Sequence, residues 1–92
     1  MEFEWDETKR RANLQKHGLD FADALAFEWE TARVTIDDRF DYGEEREIAL
    51  GFYRGHIHVV VFTDCGTTRR IISFRKATSH EAKIYEEEKN RS

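Results

Sequence analysis

Polar and apolar residues alternate from the first positions of the chain. Glu2, Phe3, Glu4 and Trp5 read as a short strand with both rings on one side. Asp6 is placed to cap a helix through its carboxylate, with Lys9 to Lys16 following. Ala12 and Leu14 are its only clear apolar positions, so the buried stripe is expected to be narrow. Gly18 ends that helix, because glycine takes the left-handed C′ conformation without steric penalty. Asp20 caps a second expected helix, whose apolar face is Phe21, Ala24, Leu25 and Phe27. Val34, Thr35 and Ile36 mark a strand over Arg33–Asp37. Asp38–Glu45 is polar, contains Gly43 and reads as a loop. Arg46–Tyr53 alternates, with Ile48, Leu50 and Phe52 on one side, and Arg54-Gly55 turns the chain. His56–Thr63, with three consecutive valines, is the strongest strand signal. After the turn at Asp64-Cys65-Gly66, Thr68–Arg75 forms another strand. Thr78 and Glu81 stand at capping-box spacing and open a final helix, with Ile84 and Tyr85 facing inward.

The order (β)ααββββα predicts a two-layer α+β domain. Three successive strands joined by short turns are antiparallel neighbours. The small antiparallel sheet is expected to carry its helices on one face, leaving the other open to a partner or substrate.

Length supports one domain over 1–92, since 92 residues and 11.0 kDa leave no room for a second. Seven Phe, three Tyr and two Trp can build a core despite 37% charged residues. The longest strongly apolar run, Val59 to Phe62, is too short to span a bilayer, and MEFEWDETKRR lacks an apolar signal core. The single cysteine, Cys65, excludes an internal disulfide framework. These features together point to the cytoplasm. The net charge of −4 conceals an asymmetry: residues 1–45 sum to −7 and residues 46–92 to +3. Thr67–Lys83 holds Arg69, Arg70, Arg75, Lys76 and Lys83 against Glu81 alone, a local basic surface that suits a polyanion or is simply solvated.

Candidate chemistry is narrowed by what is missing. There is no phosphate-cradling glycine loop and no nucleophile elbow. His56 and His58 share a strand face, but further ligands are lacking nearby, so no metal site is expected. Cys65 reads as a turn residue. On the strand Thr68–Arg75, strict alternation puts Arg69, Ile71, Ser73 and Arg75 on one side and Arg70 with Ile72 and Phe74 on the apolar side. Arg70 therefore escapes at a strand end, is re-aimed by a bulge, or snorkels into a surface ion pair. Lys16 and His17 at a helix end ordinarily satisfy dangling carbonyls; alternatively they project toward the sheet, where a histidine can move protons. Glu44-Glu45-Arg46 is either a solvated cluster or the mouth of a cleft with Glu45 as proton acceptor. RNA cleavage needs a base for the 2′-hydroxyl, cations for the phosphorane and an acid for the leaving 5′-oxygen. The chain holds such parts: Glu45, Lys16 and His17 for protons, Arg70 and Arg75 for charge, Trp5 or Tyr53 for base stacking.

Several separate blocks, in one order, resemble the BrnT family of type II toxins. They are Phe3-Glu4-Trp5-Asp6; Ala12-Asn13-Leu14-Gln15-Lys16-His17-Gly18 followed by Phe21; Gly43-Glu44-Glu45-Arg46; Val59-Val60-Val61-Phe62-Thr63; and Arg70-Ile71-Ile72-Ser73 with Arg75 and Ala77-Thr78. The resemblance runs from residue 3 to about residue 86. It implies a RelE-like fold and a cofactor-free, metal-independent endoribonuclease that arrests translation. It also implies a BrnA antitoxin with a DNA-binding ribbon-helix-helix domain, two toxins with two antitoxins, and contact with DNA only through the antitoxin. The matched positions are Lys16, His17, Glu45, Arg46, Arg70, Ser73 and Arg75. On this reading Arg70 and Arg75 hold the scissile phosphate and Lys16 adds charge. Glu45 or Lys16 accepts the 2′-hydroxyl proton and His17 donates to the leaving oxygen, while Trp5, Arg46, Ser73 and Lys76 contact RNA. Phe74 stands where many members have a small residue, and it either narrows the cleft or packs on the helices. The competing reading is a catalytically silent module that completes an antitoxin-dependent repressor.

Overall fold

A computed structural model describes residues 1–38 and 43–90. Part of the expected loop Asp38–Glu45 lies outside the described residues. The elements are β1 (Glu2–Trp5), α1 (Glu7–His17), β2 (Arg33–Asp37), β3 (Arg46–Tyr53), β4 (His56–Cys65), β5 (Thr68–Lys76) and α2 (Ser79–Asn90). Two 3₁₀ segments, Phe21–Ala26 and Trp29–Thr31, link α1 to β2.

The helix ends follow local chemistry. Asp6 accepts the Lys9 N–H at 3.0 Å, and Gly18, at φ 71°, returns its N–H to the Leu14 carbonyl at 2.8 Å. At α2 the capping box closes reciprocally: Glu81 N–H donates to Thr78 Oγ1 at 3.2 Å and Thr78 N–H to Glu81 Oε1 at 2.9 Å. The expected second helix is instead 3₁₀. Its buried residues Phe21 and Ala24, with Phe27 after them, recur every third position, which is the 3₁₀ period, while Leu25 is exposed.

The sheet order is β1-β5-β4-β3-β2. β2 to β5 are antiparallel neighbours, as expected, but β1 pairs parallel with β5, from Glu2 opposite Thr68 to Trp5 opposite Ile71. The sheet is therefore mixed rather than antiparallel. Where β1 stops, the edge of β5 is completed by a side chain. Asn13 of α1 donates to the Phe74 carbonyl at 2.8 Å and accepts the Phe74 N–H at 3.1 Å, as a neighbouring strand would. It also donates to the Leu19 carbonyl at 2.9 Å. So α1 buries this asparagine, and the expected apolar positions Ala12 and Leu14 are exposed.

A bulge settles the alternation problem in β5. Val61 faces Ser73 and Phe62 faces Ile71, so Ile72 is the extra residue. Ile71 and Phe74, three apart, can then both enter the core. Directly opposed residues share a face. One face therefore carries Phe62, Ile71, Val60, Phe74, Ala49 and Tyr53 under Phe21, Phe27 and Trp29. Phe74 is fully buried, so it packs rather than narrowing a cleft. Gly51 leaves room for Phe27, whose ring sits 2.8 Å from where a Cβ would stand. Phe52, next to Tyr53, points to the other face, where its ring meets Tyr85 of α2 edge-on at 5.5 Å. The helical elements thus lie on both faces, and α2 covers only one end of the second.

Candidate active site

The second face is the one left partly open. β4 contributes Val59, Val61 and Thr63 to it, and β5 contributes Arg70, Ser73 and Arg75 opposite them. Arg46, on the same side of β3 as Ile48 and Phe52, joins the row beside Thr63. The bulge is what gathers Arg70, Ser73 and Arg75 onto one surface. It is thus the second of the three fates open to Arg70 from sequence, and the third holds as well, because Arg70 bonds Glu4 at 2.8 Å.

Three of the expected residues meet at one end. Lys16 and His17, on the last turn of α1, line a shallow cleft of about 240 Å³ with Ile72 and Ser73. Asn13 stands one turn before them, so its bonds to β5 place this end of the helix. Arg75 is close enough for its charge to act on His17: burial first, then Lys16 and Arg75, push the imidazole below its ordinary value. These effects favour the neutral imidazole. Arg75 is aimed by Glu81, whose carboxylate takes Nη1 at 2.7 Å and Nη2 at 2.9 Å. That fork, aided by the Thr78 cap, holds the Glu81 carboxyl down to about 2.

The remaining expected residues are elsewhere. Arg70 and Arg75 face Thr63 and Val59, four positions apart on β4 because Ile72 is bulged, which is about 13 Å at roughly 3.3 Å per residue, and the two are not brought together. With Glu45, Arg70 lines a larger cleft of about 580 Å³ whose walls include Glu4, Glu44 and Glu47. The Glu45 carbonyl accepts the Thr63 hydroxyl at 2.6 Å, which fixes the entry to β3. Arg46 pairs with Glu44 at 3.4 Å. Trp5 and Lys76 fall on the core side of the sheet, opposite Ile71 and His58, and Trp5 packs against the core. Tyr53 is buried, so its expected stacking face is closed to a base.

Other chemistry-bearing residues are structural. His58 is buried between Tyr53 and Phe74, with Nδ1 2.8 Å from the His56 carbonyl, while His56 is exposed. Arg69 stacks 4.5 Å over Trp29 and 4.2 Å over Phe62 and forks onto Asp64 at 2.7 and 2.9 Å. Among the described residues no three His, Cys, Asp or Glu side chains gather as metal ligands. No helix among them is long and apolar enough to cross a membrane.

Sequence reasoning missed two residues that place the site. Asn13 is a polar residue in a helix with almost no apolar stripe, which was a usable signal. Glu81 was legible as a cap, but its reach back over six residues to Arg75 follows from the turn into α2 and not from spacing.

Comparison with curated proteins gives no match. A family model described as the ribonuclease toxin BrnT of type II toxin-antitoxin systems matches residues 5–81, well over half the chain, from the end of β1 to the start of α2. The match includes the end of α1, the bulged β5 and Glu81, and the chain belongs to the BrnT family of ribonuclease toxins.

Proposed function

We propose that this chain is a metal-independent endoribonuclease whose cleavage centre is the cleft between the end of α1 and the open face of β5. The observation that carries this is the meeting of Lys16, His17 and Ser73 in one cleft, with Arg75 acting on the imidazole. A neutral His17 accepts the 2′-hydroxyl proton, and O2′ attacks phosphorus. Arg75 and Lys16 hold the charge that builds on the phosphoryl oxygens. The P–O5′ bond breaks, the 5′-oxygen takes a proton from Lys16 or water, and a 2′,3′-cyclic phosphate remains. Here His17 takes the acceptor role rather than the donor role expected from sequence, since its surroundings favour the neutral form. Arg70 and Arg46 lie farther along the same face and suit a neighbouring phosphate of the chain, with Glu45 at the rim.

The type II family brings a protein antitoxin as partner. A BrnA-type antitoxin with a ribbon-helix-helix domain, in a complex of two toxins and two antitoxins, fits the charge division of the chain. The second reading, a silent module completing an antitoxin-dependent repressor, is favoured by one observation. Arg70 and Arg75 already hold carboxylates, Glu4 and Glu81, where an RNA phosphate would compete.

Incubating the purified chain with RNA in EDTA separates these readings. Cleavage that leaves cyclic phosphate or 3′-phosphate ends supports the nuclease. Loss of cleavage in EDTA points to a metalloenzyme, and no cleavage with or without magnesium leaves the binding module.

A further inference from the structure

We propose that Glu81 is a positioning residue that holds the Arg75 guanidinium in its working orientation, through an anchor built into the start of α2. The inference rests on the reading that Arg75 contacts the RNA phosphate. Two parallel N–H···O bonds, 2.7 and 2.9 Å, fix the plane of a guanidinium as well as its position. Both side chains are largely covered, at 29% and 26% exposure, unlike the Arg70–Glu4 pair at 56% and 46%. Exposed pairs gain little from their geometry; a covered fork keeps its shape.

The brace is itself braced. Glu81 Oε1 takes the Thr78 N–H at 2.9 Å, and the Glu81 N–H is held by the Thr78 hydroxyl. Thr78 follows Lys76, the last residue of β5, after Ala77 alone, and the Ala77 N–H bonds the Ile57 carbonyl at 3.0 Å. Strand, turn and helix cap therefore form one short rigid loop that returns a carboxylate to the arginine. The fork takes one N–H from each of Nη1 and Nη2, and Nη1 also reaches the Lys76 carbonyl at 3.5 Å, out of the five N–H donors a guanidinium carries. An unbraced arginine must lose its side-chain freedom when it meets the transition state; a braced one has already lost it.

Two other roles are open to the same carboxylate, and each has its own signature. A cap alone acts on α2 and not through Arg75. A competitor occupies the fork and weakens RNA binding. The test uses the full chain as wild type, Glu81→Gln, Thr78→Ala, Arg75→Ala and the Glu81→Gln/Arg75→Ala double variant. Single-turnover cleavage at saturating RNA gives the rate, and a 2′-O-methyl RNA of the same sequence gives affinity without cleavage. Thermal melts identify a temperature at which every variant is folded.

The expected result is a loss of about tenfold or more in rate for Glu81→Gln, with RNA affinity within about threefold. Glu81→Gln then adds nothing further in the Arg75→Ala background. Thr78→Ala, which loses the hydroxyl but keeps the Thr78 N–H bond and the fork, slows cleavage less than Glu81→Gln does. An equal Glu81→Gln loss with and without Arg75 overturns the proposal, as does a Thr78→Ala loss as large as that of Glu81→Gln. Tighter RNA binding or faster cleavage in Glu81→Gln makes the carboxylate a competitor and overturns it too. Full activity in Arg75→Ala removes the underlying reading along with the proposal, and that result is distinct from the others.

Discussion

Truncating Asn13 to alanine removes three hydrogen bonds at once, two of them to the backbone of the fully buried Phe74. β1 has ended at Trp5, so no strand stands ready to take over the Phe74 N–H. An unsatisfied buried donor costs about 1–3 kcal/mol, and each ordinary bond adds about 1 kcal/mol. The two carbonyls relax more easily than the N–H, so a loss of about 2–4 kcal/mol is expected. That is a large share of the stability of so small a domain. In urea, with a slope near 1 kcal/mol per molar, the midpoint should fall by about 2 M or more. Leu14→Ala is the control. Leucine is the more hydrophobic neighbour, but it is 40% exposed, and its truncation should change stability by about 0.5 kcal/mol. An Asn13→Ala loss below about 1 kcal/mol, or a Leu14→Ala loss as large as that of Asn13→Ala, would refute the view that an amide and not an apolar stripe docks α1.

Three further outcomes follow from the packing and the titrating groups. Gly51→Ala drives a methyl into Phe27 and Ala32 and should cost about 1–3 kcal/mol by denaturant melt, although Gly51 has ordinary strand geometry. Glu81 contributes stability that is present above about pH 4.5 and is lost as pH falls toward 2; solvent screening reduces it to about 1–2 kcal/mol, and Glu81→Gln should flatten the acid limb of the stability curve. His58 is held below its ordinary value by burial. The unfolded chain therefore takes up the proton first, and stability declines as pH drops below about 6.5. His58→Phe keeps a ring against Tyr53 and Phe74 and should reduce the change in melting temperature between pH 7 and 5.

What was legible in the sequence is what acts over four residues or fewer. Asp6, Gly18, Asp20 and the Thr78–Glu81 pair cap the elements they were expected to cap, and the valines of β4 form the central strand. The 3₁₀ segment was also written there, in the three-residue spacing of Phe21, Ala24 and Phe27, but Leu25 imitates a helical stripe. Two features have no local signature. The parallel pairing of β1 with β5 joins opposite ends of the chain, and the Ile72 bulge depends on what β4 places opposite it. The bulge matters most for the site, because it alone decides that Arg70, Ser73 and Arg75 share a face. Lys16, His17 and Ser73 line one cleft, and the charge of Arg75 reaches His17. Arg70 with Glu45 occupies a second cleft, and Trp5 and Lys76 lie on the core side.

The central claim concerns where phosphate chemistry occurs on this face, and a side-by-side rate measurement tests it most directly. Single-turnover RNA cleavage is compared for His17→Ala, Arg75→Ala and Arg70→Ala, each confirmed folded by circular dichroism. Loss of a proton-transfer group or of the transition-state cation should slow His17→Ala and Arg75→Ala by about 100-fold or more. Arg70→Ala should chiefly weaken RNA binding and slow cleavage less than about tenfold. Near wild-type rates in His17→Ala and Arg75→Ala, with the large loss in Arg70→Ala, would move the chemistry to the acidic cleft and contradict the account.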